Sequence, residues 1–288
     1  MKVFPKPAAL RIIKNKIEQK KFYQHHQIPT SEFVITENKE ELQALVSFLP
    51  AAHKVGMGGY DGRGVEILKT AADLERGFDA PSVLEKLVPI QKEIAMIVAV
   101  GQDGEITMYP PAEMIFDQNL NLLDYQVSPA ELPDKIFWKV EAIAMAVVRN
   151  LESPGLFAVE LFVDKNEEVL VNETAPRVHN SGHHTIEANF TSQFEQHFRA
   201  VMGMPLGNTD TRCPAAMVNL LGEEGYTGDA YVEGMDEALS QKGVYVHLYG
   251  KKTTKPFRKM GHVTILDNEV EKLKKRALHI KEMIKVKA

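Results

Sequence analysis

Two apolar runs, Leu156 to Val163 and Glu168 to Asn172, stand on either side of the polar stretch Asp164-Lys-Asn-Glu167. Runs of this length bounded by a turn signal read as the buried strands of a hairpin, which commits this part of the chain to a sheet. The hairpin carries two acids. Glu160 is flanked by Ala158, Val159, Leu161 and Phe162, and Glu173 follows directly on the second run. Two carboxylates on neighbouring buried strands cannot both ionise cheaply without a cation between them. Magnesium is the natural occupant, because it takes hard oxygen ligands, usually a few carboxylates completed by substrate phosphates. The rival reading is an outward-facing Glu160 on an edge strand.

Around the hairpin, helices and strands alternate. Leu10, Ile12, Ile13, Ile17 and Phe22 predict an amphipathic helix over Pro7 to His25, ending near Ile28-Pro29 because the residue before proline avoids helical angles. A strand at Glu32 to Ile35 and a helix at Asn38 to Leu49, with Thr36 as its cap, follow. Strands at Glu93 to Val100 and Ile106 to Pro110 flank an Asp103-Gly104 turn. Helices are expected over Asp134 to Asn150 and Thr191 to Met202, then a linker from Gly203 to Asp210. Strands at Ala216 to Leu221, Gly243 to Leu248 and Gly261 to Leu266 precede a basic helix from Glu269. This order points to α/β or α+β architecture. At 288 residues the chain exceeds one hydrophobic core, so two or three subdomains sharing a cleft are expected.

Composition excludes some functions. With a net charge of -5 there is no nucleic-acid footprint, and no segment is long and apolar enough to span a bilayer. The first twenty residues carry Lys2, Lys6, Arg11, Lys14, Lys16 and Lys20 without the apolar core of a signal peptide. Cys213 is the only cysteine, so no internal disulfide can form and the cytoplasm is the expected compartment.

A nucleoside triphosphate needs a cation beside its phosphates, backbone N–H groups over them and a metal bridging them. Lys54 ends a short apolar strand just before Met57-Gly-Gly-Tyr-Asp-Gly-Arg-Gly64, which has four glycines in eight residues and reads as a mobile loop. It matches neither the Walker loop nor the Rossmann fingerprint, and alone such a stretch is more often merely a turn. After Glu173 runs Thr174-Ala-Pro-Arg177-Val-His179-Asn180-Ser181-Gly182-His183-His184. Arg177 suits an anion, and Asn180 and Ser181 offer uncharged hydrogen bonds. Zinc on His179, His183 and His184 is the competing idea, but no acidic or cysteine ligand completes a set at zinc spacing. A last basic cluster, Tyr249 to His262, includes Lys251, Lys252, Lys255, Arg258 and Lys259 and falls between two strands, on a hairpin tip. Such a tip is either solvated or captures phosphate.

Taken together these stretches resemble the N5-carboxyaminoimidazole ribonucleotide synthases, an ATP-grasp family of purine biosynthesis. The resemblance rests on His53-Lys54 through Gly64, Glu85-Lys-Leu-Val-Pro89 with Lys92-Glu93, Tyr109-Pro-Pro111, Asn172-Glu173 with Ala175-Pro-Arg177, His179-Asn-Ser-Gly-His183, Thr191-Ser-Gln-Phe-Glu-Gln-His197, Tyr249-Gly-Lys251 and Arg258 to His262. It implies an α+β ATP-grasp fold with a linker helix over 1–27, a small subdomain over 28–84, a large subdomain with the metal site over 85–210, and a β-rich C-terminal domain over 211–288. It implies ATP on Lys16, Lys54, Gly58, Gly59, Tyr60, Asp61, Gly62, Gly64, Glu85, Lys86, Val88, Glu93 and Asn172, with Mg2+ on Glu160 and Glu173. Arg177, His179, Asn180, Ser181, Lys251, Arg258 and Lys259 would hold the substrate, and Lys54, Arg177 and Asn180 would act in catalysis.

The implied substrates are ATP, bicarbonate and 5-aminoimidazole ribonucleotide, and the implied assembly is a homodimer. Val55-Gly56-Met57 replaces a more basic stretch, and Lys255 stands where arginine is common. Family members also carry a Rossmann-like domain before the helix that begins here near Pro7, and the expectation is that this chain lacks it. Two other readings share the nucleotide site: another ATP-grasp ligase or transformylase, and a nucleotide-binding module without catalysis.

Overall fold

In the computed structural model, which describes residues 2–59, 64–116 and 123–288, Asn15 breaks the helix expected over Pro7 to His25 into Pro7–Ile13 and Lys16–His25. Its side chain accepts the Ile17 amide, which starts a new helix. The Lys16 amide meanwhile donates to the Gly56 carbonyl at 2.8 Å. Only glycine fits there, since a Cβ at Gly56 would lie 2.9 Å from the Pro81 carbonyl oxygen. The expected helix over Asn38 to Leu49 is likewise shorter, Lys39–Gln43 followed by a 3-10 turn at Val46–Phe48. Its cap is Asn38, not Thr36, which is buried in the sheet against His53.

Contacts divide the chain into two units. The first comprises Met1–Thr107, Leu132–Val178 and His197–Leu206, the second Met108–Glu131, His179–Gln196 and Gly207–Ala288. In the first, an antiparallel sheet runs in the order Phe33–Thr36, Ser82–Lys86, Ala51–Val55, Val65–Leu68. Leu42, Ala51, Leu68, Leu74 and Leu84 pack beneath it. Three further antiparallel strands of this unit, Ile90–Val100, Gly155–Asp164 and Val169–Ala175, lie in sequence order. The helix Asp134–Leu151 buries Val140, Ala144, Val147 and Val148. The expected hairpin is present: the Asp164 carboxylate accepts the Asn166 and Glu168 amides at its turn. The Asp103-Gly104 turn is present too, with Gly104 at φ +89.

In the second unit five antiparallel strands are ordered Ala112–Phe116, Leu123–Ser128, Ala215–Leu221, Lys259–Leu266, Val244–Leu248. Leu273, Ala277 and Ile280 of the helix Val270–Met283 join Val218, Val263 and Ile265 in its core. Between the last two strands the chain makes the expected hairpin, whose Thr253–Thr254 pairs with Gly228–Asp229. The architecture is α+β, as the element order implies.

Candidate active site

Glu160 and Glu173 are cross-strand partners. The hairpin pairs Val163 with Val169 and Leu161 with Val171, a register that would set Glu160 opposite Asn172. A bulge at Asn172 adds one residue, so Glu173 faces Glu160 instead. Since a one-residue slip exchanges the faces of a strand, the bulge is what brings both carboxylates to one side. The donor set is all oxygen, which fits a hard divalent cation. Among the described residues no group of three or more His, Cys, Asp or Glu side chains is arranged to hold a metal alone. A cation on this pair would therefore draw the rest of its shell from phosphate oxygens and water.

Lys16 sits beside the pair, its Nζ 2.5 Å from Glu173 Oε2. Burial works against the Lys16 ammonium, but Glu173, with Glu85 and Glu160 behind it, raises it above the ordinary lysine value. Lys54 lies at the end of the strand Ala51–Val55, as expected, one residue before its last, and donates to Asn172 Oδ1 at 2.9 Å. Its Nζ is also 3.0 Å from Glu85 Oε1. The other Glu85 oxygen takes Lys20 Nζ at 2.8 Å and the Ser31 hydroxyl at 2.8 Å. Burial opposes ionisation of Glu85, yet Lys54 and Lys20 hold its carboxyl down to about 2. A small cavity is lined by Lys16, Gln19, Lys20, Lys54, Glu85, Asn172 and Glu173.

Gln19 and Lys20 of this lining, and Ser31 beside Glu85, were not expected. Gln19 and Tyr23 share a helix face with Lys16 and Lys20, and the Gln19 carbonyl accepts both the Tyr23 hydroxyl and the Thr174 amide. The helix is thereby docked on the strand that carries Glu173. Spacing four apart, Lys16 and Lys20, was the available signal.

Glu93, on Ile90–Val100, is pushed up to about 7 by burial, with Lys54 opposing. Lys86 Nζ donates to the Phe48 carbonyl and lies 5.1 Å over the Phe48 ring. The Val88 carbonyl accepts the Ile90 amide. Gly58 and Gly64 take positive φ, +85 and +80, conformations that suit glycine. Tyr60, Asp61 and Gly62 lie outside the described residues. Arg177, also on the first unit, is exposed and donates to the Val178 carbonyl.

The second unit gathers most of the expected substrate residues. Gln193, fully buried, accepts the His179 amide and donates to the His179 carbonyl and His183 Nδ1. This fixes the turn Asn180–Gly182. His179 Nδ1 meets the Ser181 hydroxyl at 2.9 Å. Asn180 and Asn219 exchange amide hydrogen bonds of 2.8 and 3.0 Å. His183 packs on His262 at 4.7 Å and His262 on His247 at 4.5 Å, ring to ring. His247 Nε2 meets Glu187 Oε1 at 2.7 Å. Burial, then the neighbouring imidazoles, brings His262 down to about 3. In the basic hairpin, Arg258 bonds the Thr253 carbonyl and hydroxyl, and Lys251 Nζ donates to the Lys259 carbonyl.

A family model described as the ATP-grasp domain matches residues 21–194, and one described as the phosphoribosylaminoimidazole carboxylase C-terminal domain matches residues 215–276. The N5-carboxyaminoimidazole ribonucleotide synthase of Bacillus subtilis is 39% identical over 263 residues, 89% of this chain and 67% of the relative. The chain spans about half the length of other curated relatives it matches, 49% of one and 51% of another. The crystal structure of N5-carboxyaminoimidazole ribonucleotide synthetase from Thermotoga maritima is 44% identical, with a TM-score of 0.91 over 99% of this chain and 75% of that one. That of the Aspergillus clavatus synthase in complex with ADP and 5-aminoimidazole ribonucleotide is 28% identical, with a TM-score of 0.85 over 96% and 76%. The chain belongs to the ATP-grasp family, within its group of N5-carboxyaminoimidazole ribonucleotide synthases.

Proposed function

We propose that the chain carries out the ATP-dependent carboxylation of 5-aminoimidazole ribonucleotide with bicarbonate, giving N5-carboxyaminoimidazole ribonucleotide, ADP and phosphate. The observation that carries this reading is the bulged pairing of Glu160 with Glu173 beside Lys16, with Lys54 bonded to Asn172 next to it. The ligands of the Aspergillus clavatus structure support it.

Lys16 and Lys54 neutralise the polyphosphate, and the amides of Gly58, Gly59 and Gly64, with Tyr60, Asp61 and Gly62, cover it. Glu85 and the Lys86 to Val88 backbone serve the base, and Glu93 the ribose hydroxyls. Glu160 and Glu173 would hold Mg2+, which when bound would supply charge neutralisation for the transferred phosphoryl group. A bicarbonate oxygen attacks the γ-phosphorus, ADP leaves, and carboxyphosphate forms. Phosphate is then released as the carbon dioxide unit passes to the amine of the ribonucleotide. This is chemistry of positioning and electrostatics rather than of a protein nucleophile. Closure of the glycine loop keeps water from the labile intermediate. Arg177, Asn180 and His179, with Ser181, Lys251, Arg258 and Lys259, bind the ribonucleotide and its phosphate, and Arg177 and Asn180 orient the reacting amine.

The reading extends to the cytoplasm, supported by the lone cysteine, and to a homodimer, supported by exposed Phe198, Met202 and Met204. No helix among the described residues is long and apolar enough to cross a membrane. The test is phosphate release from ATP with bicarbonate and Mg2+, with and without 5-aminoimidazole ribonucleotide. Release that depends on the ribonucleotide is expected. Release indifferent to it would assign another ATP-grasp ligase, and none at all a binding module.

A further inference from the structure

Of the three lysines that line the cavity, Lys16, Lys20 and Lys54, the chemistry above leaves Lys20 unused. Its side chain is only 3% exposed, and its partner Glu85 only 4%. All three ammonium protons have acceptors: Glu85 Oε2 at 2.8 Å, the Thr30 hydroxyl at 2.6 Å and Ser31 Oγ at 3.2 Å. Lys20 cannot reach a ligand without surrendering them. Lys54, by contrast, lies at the end of its strand just before the glycine loop, is 12% exposed, and holds the other Glu85 oxygen and Asn172.

We propose that Lys20 is a positioning residue for nucleotide binding, a fixed second counterion that keeps Glu85 neutralised and so lets Lys54 turn to the nucleotide phosphates. The inference rests on the nucleotide-binding reading of this site. A buried carboxylate stripped of its only cation is costly. When phosphates draw Lys54 away, Glu85 keeps Lys20 and Ser31, and the cost of the move falls. Without Lys20, Glu85 has one cation and retains it, in competition with the nucleotide. The groups facing Lys20 are Glu85 from Ser82–Lys86, Lys54 from Ala51–Val55 and Lys16 from its own helix. Burial first, then repulsion by the two lysines against the pull of Glu85, brings its ammonium to about 8. Lys20 therefore loses its charge at mildly alkaline pH, which gives the proposal a readout that a packing role does not share.

The experiment is calorimetric titration of Mg-ADP into the full chain, its Lys20→Arg variant and its Lys20→Met variant, near pH 7 and near pH 9.5. Lys20→Met should bind about tenfold more weakly near pH 7 and change little on going to high pH. The unmodified chain should weaken toward that level as pH rises through about 8. Lys20→Arg, charged throughout, should hold its affinity at both pH values. A folded Lys20→Met variant with undiminished affinity would overturn the proposal, as would the same pH response in the unmodified chain and Lys20→Arg. That second comparison decides the matter even if Lys20→Met does not fold. An unmodified chain that binds no Mg-ADP at all overturns the nucleotide reading together with this one.

Discussion

Glu160 and Glu173 oppose each other across an antiparallel ladder that is out of step by one residue at Asn172. The pairing makes a specific demand on Glu173, which is 40% exposed and is paired with Lys16. Glu173→Ala should lower magnesium-dependent phosphate release by about a hundredfold while leaving the protein folded, since its ion pair with Lys16 is part-buried rather than enclosed. Phosphate release against Mg2+ concentration, with denaturant unfolding of both proteins, checks it. A folded variant with undiminished release removes Glu173 from the metal site.

Glu85 makes the opposite demand, because its partners are buried. Replacing it by glutamine leaves Lys20 and Lys54 without their shared anion, at a cost of roughly 3 kcal/mol. The sign with pH follows from its depressed carboxyl, about 2 against an ordinary 4.5. Its contribution is complete above pH 4.5 and is lost as pH falls toward 2. Urea unfolding near neutrality should show the full difference between the chain and Glu85→Gln, and at pH 3 a smaller one. An equal difference at both would mean that charge is not what Glu85 contributes.

How far the site was legible depended on what made each residue conspicuous. Glu160 stood out because its neighbours are apolar, and Lys54 because a glycine-rich loop follows it. Lys20 sat among Lys14, Lys16 and Lys21 in a pattern that reads as a solvated helix face, and only the docking of that helix buries it. The break at Asn15 was missed for a related reason: the apolar spacing continues across it, and the cap bond to Ile17 is local chemistry that periodicity does not register. The bulge at Asn172 has no signature at all in the alternation of apolar residues. It is a matter of register, fixed by the turn at Asp164 to Glu167 and by the strands on either side. The element order gave the α+β class, since strand and helix lengths follow from local pattern.

Arg258 illustrates a residue whose local bonds are modest. It is half-buried, and its side chain bonds the Thr253 carbonyl and hydroxyl in its own hairpin. Arg258→Ala should therefore leave folding and Mg-ATP affinity close to those of the parent chain. Affinity for 5-aminoimidazole ribonucleotide should fall by about tenfold or more, the loss of one charge-assisted phosphate contact. Separate calorimetric titrations of the two ligands distinguish the outcomes. Equal losses for both would place Arg258 outside a dedicated ribonucleotide site.

The stacked imidazoles of the second unit give a prediction about acid. His262 is buried between His183 and His247, and its Nδ1 meets the Tyr249 hydroxyl at 3.0 Å. Burial and the flanking rings favour its neutral form, at about 3 rather than 6.5. The unfolded chain thus takes up a proton below pH 6.5 that the folded chain refuses, so stability is present above 6.5 and lost as pH falls toward 3. Each pH unit in that window costs up to about 1.4 kcal/mol. His184, also buried and lowered to about 4, adds to the slope with the same sign. His262→Phe keeps a flat ring in the stack and removes one titrating group. Its unfolding free energy should fall less steeply than that of the parent between pH 7 and pH 5, windows set by these two shifts. An identical slope for the two proteins would mean that the imidazole at 262 is charged in the folded state.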